Sequence, residues 1–348
     1  MTTGTGEAPR EVWTLTFPPA GRGPEVAAAA ERQGWDGVLI ADSQNLTGDV
    51  YATLTAAAAA TGRIMLAPGV TNSVTRDPAV TACGIATVQQ FSGGRAVLGI
   101  GRGDSAVAYL GKKPAPVAEF EDYLRDVQTY LRGETVDRSG FPSRLEWLPG
   151  AELPKVPVEV AATGPKVLAA AARTADRIAV TVGADPARLR WAIETARRAR
   201  EEAGLDPAGL SFGAYVNAVA HPDRSVAREV VRGSFSTLVR FGGMSDAGSQ
   251  ASTTASERSA LTALARDYSV RRHAMRDAEH AAAIDDAFVD RFAVVGPSSY
   301  CVERLRELFD VGLDRLIIAG HSRDADPELL AETAERMASE VLPMVRKR

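Results

Sequence analysis

Six short stretches of the chain bring together residues able to bind or do chemistry, each directly after a short apolar run. The first is Asp42-Ser43-Gln44-Asn45. Asp42 could accept a hydrogen bond from a ring N–H or a substrate, although Asp, Ser and Asn also cluster at ordinary turns. The second is Pro68-Gly69-Val70-Thr71-Asn72. Pro and Gly together at a strand end imply a bulge, and the glycine lets a flat ring approach the backbone closely. The third, Gly99-Ile100-Gly101-Arg102-Gly103-Asp104-Ser105, alternates three glycines before an acid. Such loops cradle phosphates or rings, and also make plain tight turns. The fourth, Ala161-Ala162-Thr163-Gly164-Pro165-Lys166, runs into a helix. Thr163 can cap, Gly164 exposes amides, Pro165 suits the first turn, and the positive helix end beside Lys166 suits an anion. The fifth, Val182-Gly183-Ala184-Asp185-Pro186, is a second small-residue entry to a helix, so the two could share one phosphate. The sixth is Gly320-His321-Ser322-Arg323, where His321 could donate a proton.

These stretches need a frame that brings strand ends to one place. Apolar runs read as strands at 12–17, 37–41, 64–70, 96–100, 158–162, 177–182, 210–220 and 315–319, with helical segments between them. Ala-rich helices are expected over 25–33 and 51–61, and further helices over 78–91, 117–131, 165–174, 186–203 and 327–345. Eight strand–helix units predict a TIM-type (β/α)₈ barrel, with its site at the carboxyl ends of the strands. A doubly wound open sheet is the competing fold, but no GxGxxG follows the first run. The Pro-rich stretch 141–157 reads as a loop or edge hairpin. Residues 1–10 read as a disordered lead-in, and 11–348 as one barrel. Residues 227–292 exceed one helix and form an insertion between strands seven and eight. Within it, 225–240 and 260–276 look helical, and 242–257 reads as a mobile loop. The insertion is a lid or a surface excursion.

With 348 residues, 45% hydrophobic and 24% charged, the chain can bury a large core without disulfides or metal. Net charge −4 gives no pointer to nucleic acid or membrane. Cys83 and Cys301 lie far apart and form no CxxC, which fits a reduced cytoplasmic setting; the first residues carry no apolar signal segment. HExxH, GxxxxGK[ST] and GxSxG are all missing. His221, His273, His280 and His321 show no metal-ligand spacing, so no metal is expected. His273 and His280 read as solvated positions on a helix.

The stretch APGVTNSVTRDPAVTACGIATVQQFSGGR, from Ala67 to Arg95, together with LGIGRGD ending at Asp104 and ATGPK ending at Lys166, resembles the bacterial luciferase-like superfamily of flavin and deazaflavin enzymes. It looks most like the methylenetetrahydromethanopterin reductase-like branch. The resemblance implies a non-prolyl cis peptide at Gly69-Val70 against the cofactor ring, with Thr71 and Asn72 beside it. It implies cofactor contacts from Asp42 and from Gly101, Arg102, Gly103 and Asp104. It places the phosphate near Ala162, Thr163, Gly164, Pro165 and Lys166, and near Val182, Gly183 and Ala184. The sequence departs from that branch's reductases twice. Thr16-Phe17-Pro18 stands where they commonly carry a glutamate, and Ser43 where a histidine often follows the aspartate.

The resemblance implies a reductase using coenzyme F-420, passing hydride to an activated C=C or C=N bond of a small, natural-product or peptide-like substrate. Asp42, Ser43, Asp104 and His321 are the candidate catalytic groups for protonation. One alternative is an FMN-dependent monooxygenase served by a separate flavin reductase. Another is a barrel that binds a cofactor without turnover. The family habit also implies a homodimer through the helices at 51–61 and 78–91.

Overall fold

A computed structural model of the chain describes residues 10–150, 152–243 and 253–347. Parallel strands form the frame: β1 (Glu11–Thr16), β2 (Gly37–Ile40), β3 (Met65–Pro68), β4 (Thr71–Asn72) and β5 (Leu98–Gly101). After an antiparallel hairpin, β6 (Val136–Arg138) with β7 (Phe141–Ser143), come β8 (Val158–Ala162), β9 (Arg177–Val180), β10 (Ser211–Ala220), β11 (Val294–Gly296) and β12 (Arg315–Ala319). The main sheet runs β3-β2-β1-β12-β10-β9-β8-β5-β4. It closes where Leu66 pairs with Ala96: Leu66 N donates to Arg95 O at 2.8 Å and Val97 N to Leu66 O at 3.0 Å. β3 and β4 are two halves of one stave, separated by a cis Gly69–Val70 peptide. The lower half pairs with β2 and the upper half with β5. The result is the eight-staved barrel that the alternating pattern predicts.

Helices cover the outside: α1 (Gly23–Arg32), α2 (Val50–Ala60), α3 (Pro78–Ser92), the single turn α4 (Ser105–Ala108), α5 (Val117–Leu131), α6 (Pro165–Thr174) and α7 (Pro186–Glu202). Then follow α8 (Arg224–Gly243), α9 (Ala255–Asp267), α10 (Asp286–Phe292), α11 (Ser298–Asp310), α12 (Pro327–Arg336) and α13 (Leu342–Arg346). Their ends obey local chemistry. Asp77 accepts from Ala79 N and Pro78 opens α3, while Gly93 at φ +64° closes it. Asp185 accepts from Ala187 N and Arg188 N at the start of α7. Inside the barrel, Trp13, Leu39, Val97, Tyr215 and Ile317 form one packed layer. Beneath it lies a buried ion pair between Arg315 and Glu159, with the Arg315 guanidinium 5.5 Å from the Trp13 ring centre.

Several expectations shift. The hairpin begins at Val136, before the Pro-rich stretch. The helix expected over 260–276 stops at Asp267, because the Tyr268 side chain is committed to α8 and to the chain that follows. Short 3-10 turns, Val270–Arg272 and Glu279–Ala283, replace its second half. β11 and α11 were not anticipated; β11 pairs with the upper end of β10. The expected lead-in lies outside the described residues apart from residue 10, as does most of the loop expected over 242–257. Among the described residues no helix is long and apolar enough to cross a membrane.

Candidate active site

A cavity of about 410 Å³ opens at the carboxyl ends of the staves, within the ordinary range for a small-molecule site. Its barrel-side wall is rich in glycine, with Gly69, Gly101, Gly103 and Gly164. Gly69, Val70, Thr71 and Asn72 line it. A Cβ on Gly69 would sit 2.6 Å from both Leu15 Cδ1 and Leu39 Cβ, so only glycine fits there. Asn72 holds the turn by accepting from Val74 N and Thr75 N at 3.0 and 2.9 Å. Gly101, Arg102, Gly103 and Asp104 form the next segment. Gly103 has φ +110°, and a Cβ on it would lie 2.4 Å from Val107.

Thr163, Gly164, Pro165 and Lys166 line the same cavity. Gly164, not Thr163, is the capping position of α6, and no side chain bonds the first-turn amides. The cap expected of Thr163 is therefore not made, and those N–H groups stay open. Arg102 Nε donates to Ala115 O at 2.6 Å. Among the described residues, neither Arg102 nor Lys166 has a carboxylate partner within 4 Å.

The other predicted cradle arm does not reach the cavity. Val182 and Ala184 are buried, and Gly183 packs beside Phe292 of α10. Ala184 N donates to Phe292 O at 2.8 Å, and Arg304 donates to Ala184 O at 2.9 Å. The insertion occupies that place. Ala162 points its methyl group into the core between staves and helices.

The expected proton donors divide. Asp42 has both carboxylate oxygens bound by Arg76, at 2.5 and 3.3 Å, and Arg76 also reaches Asp49 at 3.2 Å. Burial alone would weaken the Arg76 charge, but these carboxylates hold its pKa above the ordinary value. Asp42 is thus a paired carboxylate at the cavity wall, not a free acid. Asp104 pairs with Arg240 of α8. His321 is exposed and lies off the cavity wall, its Nδ1 3.2 Å from Ser322 O, because the chain after β12 turns away under α8. Ser43 does face the cavity, buried, with its Oγ 3.2 Å from the Ser105 hydroxyl.

The opposite wall comes from the insertion and from the barrel's mouth. Thr237, Leu238 and Phe241 of α8 face in, as does His273. His273 is 3% exposed and His280 4%, which overturns the solvated reading of both. Neither lies on an α-helix, and their rings pack instead against Tyr268. The Tyr268 hydroxyl sits 2.8 Å from His273 Nδ1 and 2.9 Å from Thr237 Oγ1. Burial, reinforced by Arg240, Arg323 and His280, pushes the His273 pKa down to about 4 despite Asp104. The Arg240 guanidinium lies 3.9 Å from the Tyr268 ring centre. Tyr215 forms the floor, its hydroxyl buried without a partner and its pKa raised by burial. The only signal for this wall in the sequence was the rarity of histidine. Among the described residues there is no cluster of three His, Cys, Asp or Glu side chains able to hold a metal ion.

Known proteins share this plan. The chain is 28% identical over 313 residues to a 5,10-methylenetetrahydromethanopterin reductase of Methanolobus tindarius, spanning 84% of this chain and 87% of that one. Its fold matches the F420-dependent tetrahydromethanopterin reductase of Methanopyrus kandleri with a TM-score of 0.71 at 21% identity, over 97% of this chain and 99% of that one. It matches an F420-dependent secondary alcohol dehydrogenase, solved with an F420–acetone adduct, at 0.74 and 18% identity over the same shares. The sequence profile of the luciferase-like monooxygenase family covers residues 2–315, and the chain belongs to that oxidoreductase family.

Proposed function

We propose that the protein is a coenzyme F-420-dependent oxidoreductase acting on an activated double bond of a small or natural-product substrate. The observation that carries this reading is one cavity holding two features. One is a glycine-bearing wall, Gly69 to Asn72 with Gly101 to Asp104, that suits the close approach of a flat ring. The other is an anion-binding end, the uncapped start of α6 with Lys166 and Arg102. The F420-dependent reductase and the F420-dependent alcohol dehydrogenase whose fold the chain shares support F-420 over FMN. The deazaflavin, when bound, supplies the hydride. The chain orients it: Gly69 and Val70 seat the ring, the α6 amides and Lys166 hold the phosphate, and the insertion wall excludes water.

Fluorescence titration of the purified protein with F-420 and, separately, with FMN tests the reading. Tight F-420 binding beside weak FMN binding is expected. The reverse order overturns it in favour of oxygen chemistry with a flavin reductase, and binding of neither removes the cofactor role.

We also propose a homodimer through α2 and α3. Val80 and Phe91 of α3 are 58% and 63% exposed, beside the exposed alanines of α2. Sedimentation should give twice the chain mass of 36.8 kDa, and Phe91→Glu should shift it toward monomer. The cytoplasmic setting rests on Cys83 and Cys301, both free thiols.

A further inference from the structure

Of the acids and the histidine expected to give a proton at the cavity, Asp42 and Asp104 are both held in ion pairs and His321 is off the wall. Phe17, directly after β1, lines the cavity. His273 comes from the insertion to that same spot: its ring meets the Phe17 ring edge-on, centres 6.1 Å apart. Resting on the reading of this cavity as a hydride-transfer site, we propose that His273 is the group that protonates the substrate. The acceptor is then a carbonyl compound, a ketone or a conjugated enone, and not an iminium.

The hydrogen bonds fix how the ring is used. Thr237 Oγ1 accepts from Ala274 N at 3.1 Å and gives its own proton to the Tyr268 oxygen at 2.9 Å, in preference to the longer 3.3 Å contact with Gly233 O. The Tyr268 proton is then directed to His273 Nδ1, 2.8 Å away, and the ring's own proton sits on Nε2. Nε2 has no partner among the described residues, although His273 lines the cavity and its ring is otherwise enclosed. By contrast, His280 Nε2 is sealed in the interior. The groups around His273 are Asp104, held by Arg240, together with Arg240 itself, Arg323 and His280. With burial they keep the imidazole neutral at physiological pH.

A neutral N–H on the cavity wall suits an atom that gains negative charge. A carbonyl oxygen does so when hydride arrives, directly at its carbon or through a conjugated C=C. An iminium nitrogen has no lone pair to accept from Nε2. Bound reduced deazaflavin would supply the hydride and be left oxidised, and the C=O π pair would move to the substrate oxygen. That oxygen takes the Nε2 proton while Nδ1 takes the Tyr268 phenol proton. Arg240, over the Tyr268 ring, holds the charge until water restores the phenol. Tyr268 and Thr237 are positioning residues in this scheme.

Histidine-selective ¹⁵N NMR of the full-length protein, with His273→Gln for assignment, tests the ring without substrate. The expected spectrum for His273 is a neutral Nε2–H imidazole that does not titrate between pH 8 and 5. Tyr268→Phe should convert it to a mixture of tautomers. An imidazolium at pH 7, or an Nδ1–H tautomer, overturns the proposal. Reduced F-420 is then offered cyclohexanone, cyclohex-2-enone and N-methyl-3,4-dihydroisoquinolinium. His273→Gln should lose 10²- to 10³-fold in kcat on carbonyls, with KM and F-420 binding changed less than 3-fold. Tyr268→Phe should lose about tenfold and move the pH profile. Faster turnover of the iminium than of either carbonyl, or wild-type kcat in His273→Gln, overturns it. Failure of the wild type to bind F-420 would instead sink the cofactor reading and leave the NMR result standing.

Discussion

The two walls of the cavity are built differently. The stave wall, from Asp42 to Lys166, is rich in glycine, and its carboxylates are already paired with Arg76 and Arg240. The insertion wall presents side chains: Thr237, Leu238, Phe241 and His273. A glycine-rich surface suits a ligand of constant shape, because it varies little when side chains change. A side-chain surface suits a ligand that differs from one relative to the next. On the proposed reading of this cavity, the contrast divides cofactor and substrate between separate parts of the chain, joined at the Asp104–Arg240 bridge.

The walls should separate first in acid. His273 is neutral when folded, with its pKa lowered from 6.5 to about 4. Between those values the unfolded chain binds the extra proton, so stability is full above pH 6.5 and falls toward pH 4. The loss amounts to about 3 kcal/mol at roughly 1.4 kcal/mol per pH unit. Urea unfolding at pH 7.5 and 4.5 should show it in the wild type, and His273→Gln should flatten it. An equal slope in both proteins would mean that the acid-sensitive element is not the insertion wall.

Charge reversal comes next in size. Lys166→Glu should weaken F-420 binding about 100-fold, as expected for loss of a charge-assisted contact plus repulsion. Phe241→Leu should change it less than 3-fold. If the two variants weakened binding equally, the walls would not be divided between cofactor and substrate.

The smallest effect tests the joint. Asp104→Asn removes the charge facing Arg240, which is 5% exposed. Because Asp104 is itself about one-third exposed, a loss of about 1 kcal/mol is expected in thermal unfolding. KM for substrate should rise more than the F-420 dissociation constant. A rise only in the latter would assign Asp104 to the stave wall alone.

The stave wall was legible in the sequence and the insertion wall was not. Continuous apolar runs such as Gly37–Ile40 are buried on both faces and announce themselves. Glycines at Gly69 and Gly103 are demanded by close approach and positive φ, which leaves a compositional mark. His273 has no such mark: its position depends on Tyr268 ending a helix and on α8 packing above, both tertiary events. The same reasoning explains the missed turn at Gly183. Its composition suggests a phosphate cradle, but Phe292, more than a hundred residues later, fills the place. Asp42 was legible as a site residue, yet its pairing with Arg76 required the fold to bring the two side chains together.

β10 is twice as long as its partner β12, and the extra length has a consequence of its own. Its lower part, Gly213 to Asn217, pairs with β12, and its top, Ala218 to Ala220, pairs with β11. The excursion through α8, α9 and α10 therefore departs from one end of a rail and returns alongside it. Both of its ends are anchored on a single strand, so growth or shrinkage in between never reaches the barrel's register. Doubling a flexible loop costs only about 0.6 kcal/mol. That makes the segment a cassette: transplanted with its rail, it could give another barrel of this kind a new appetite while leaving the host's cofactor seat untouched.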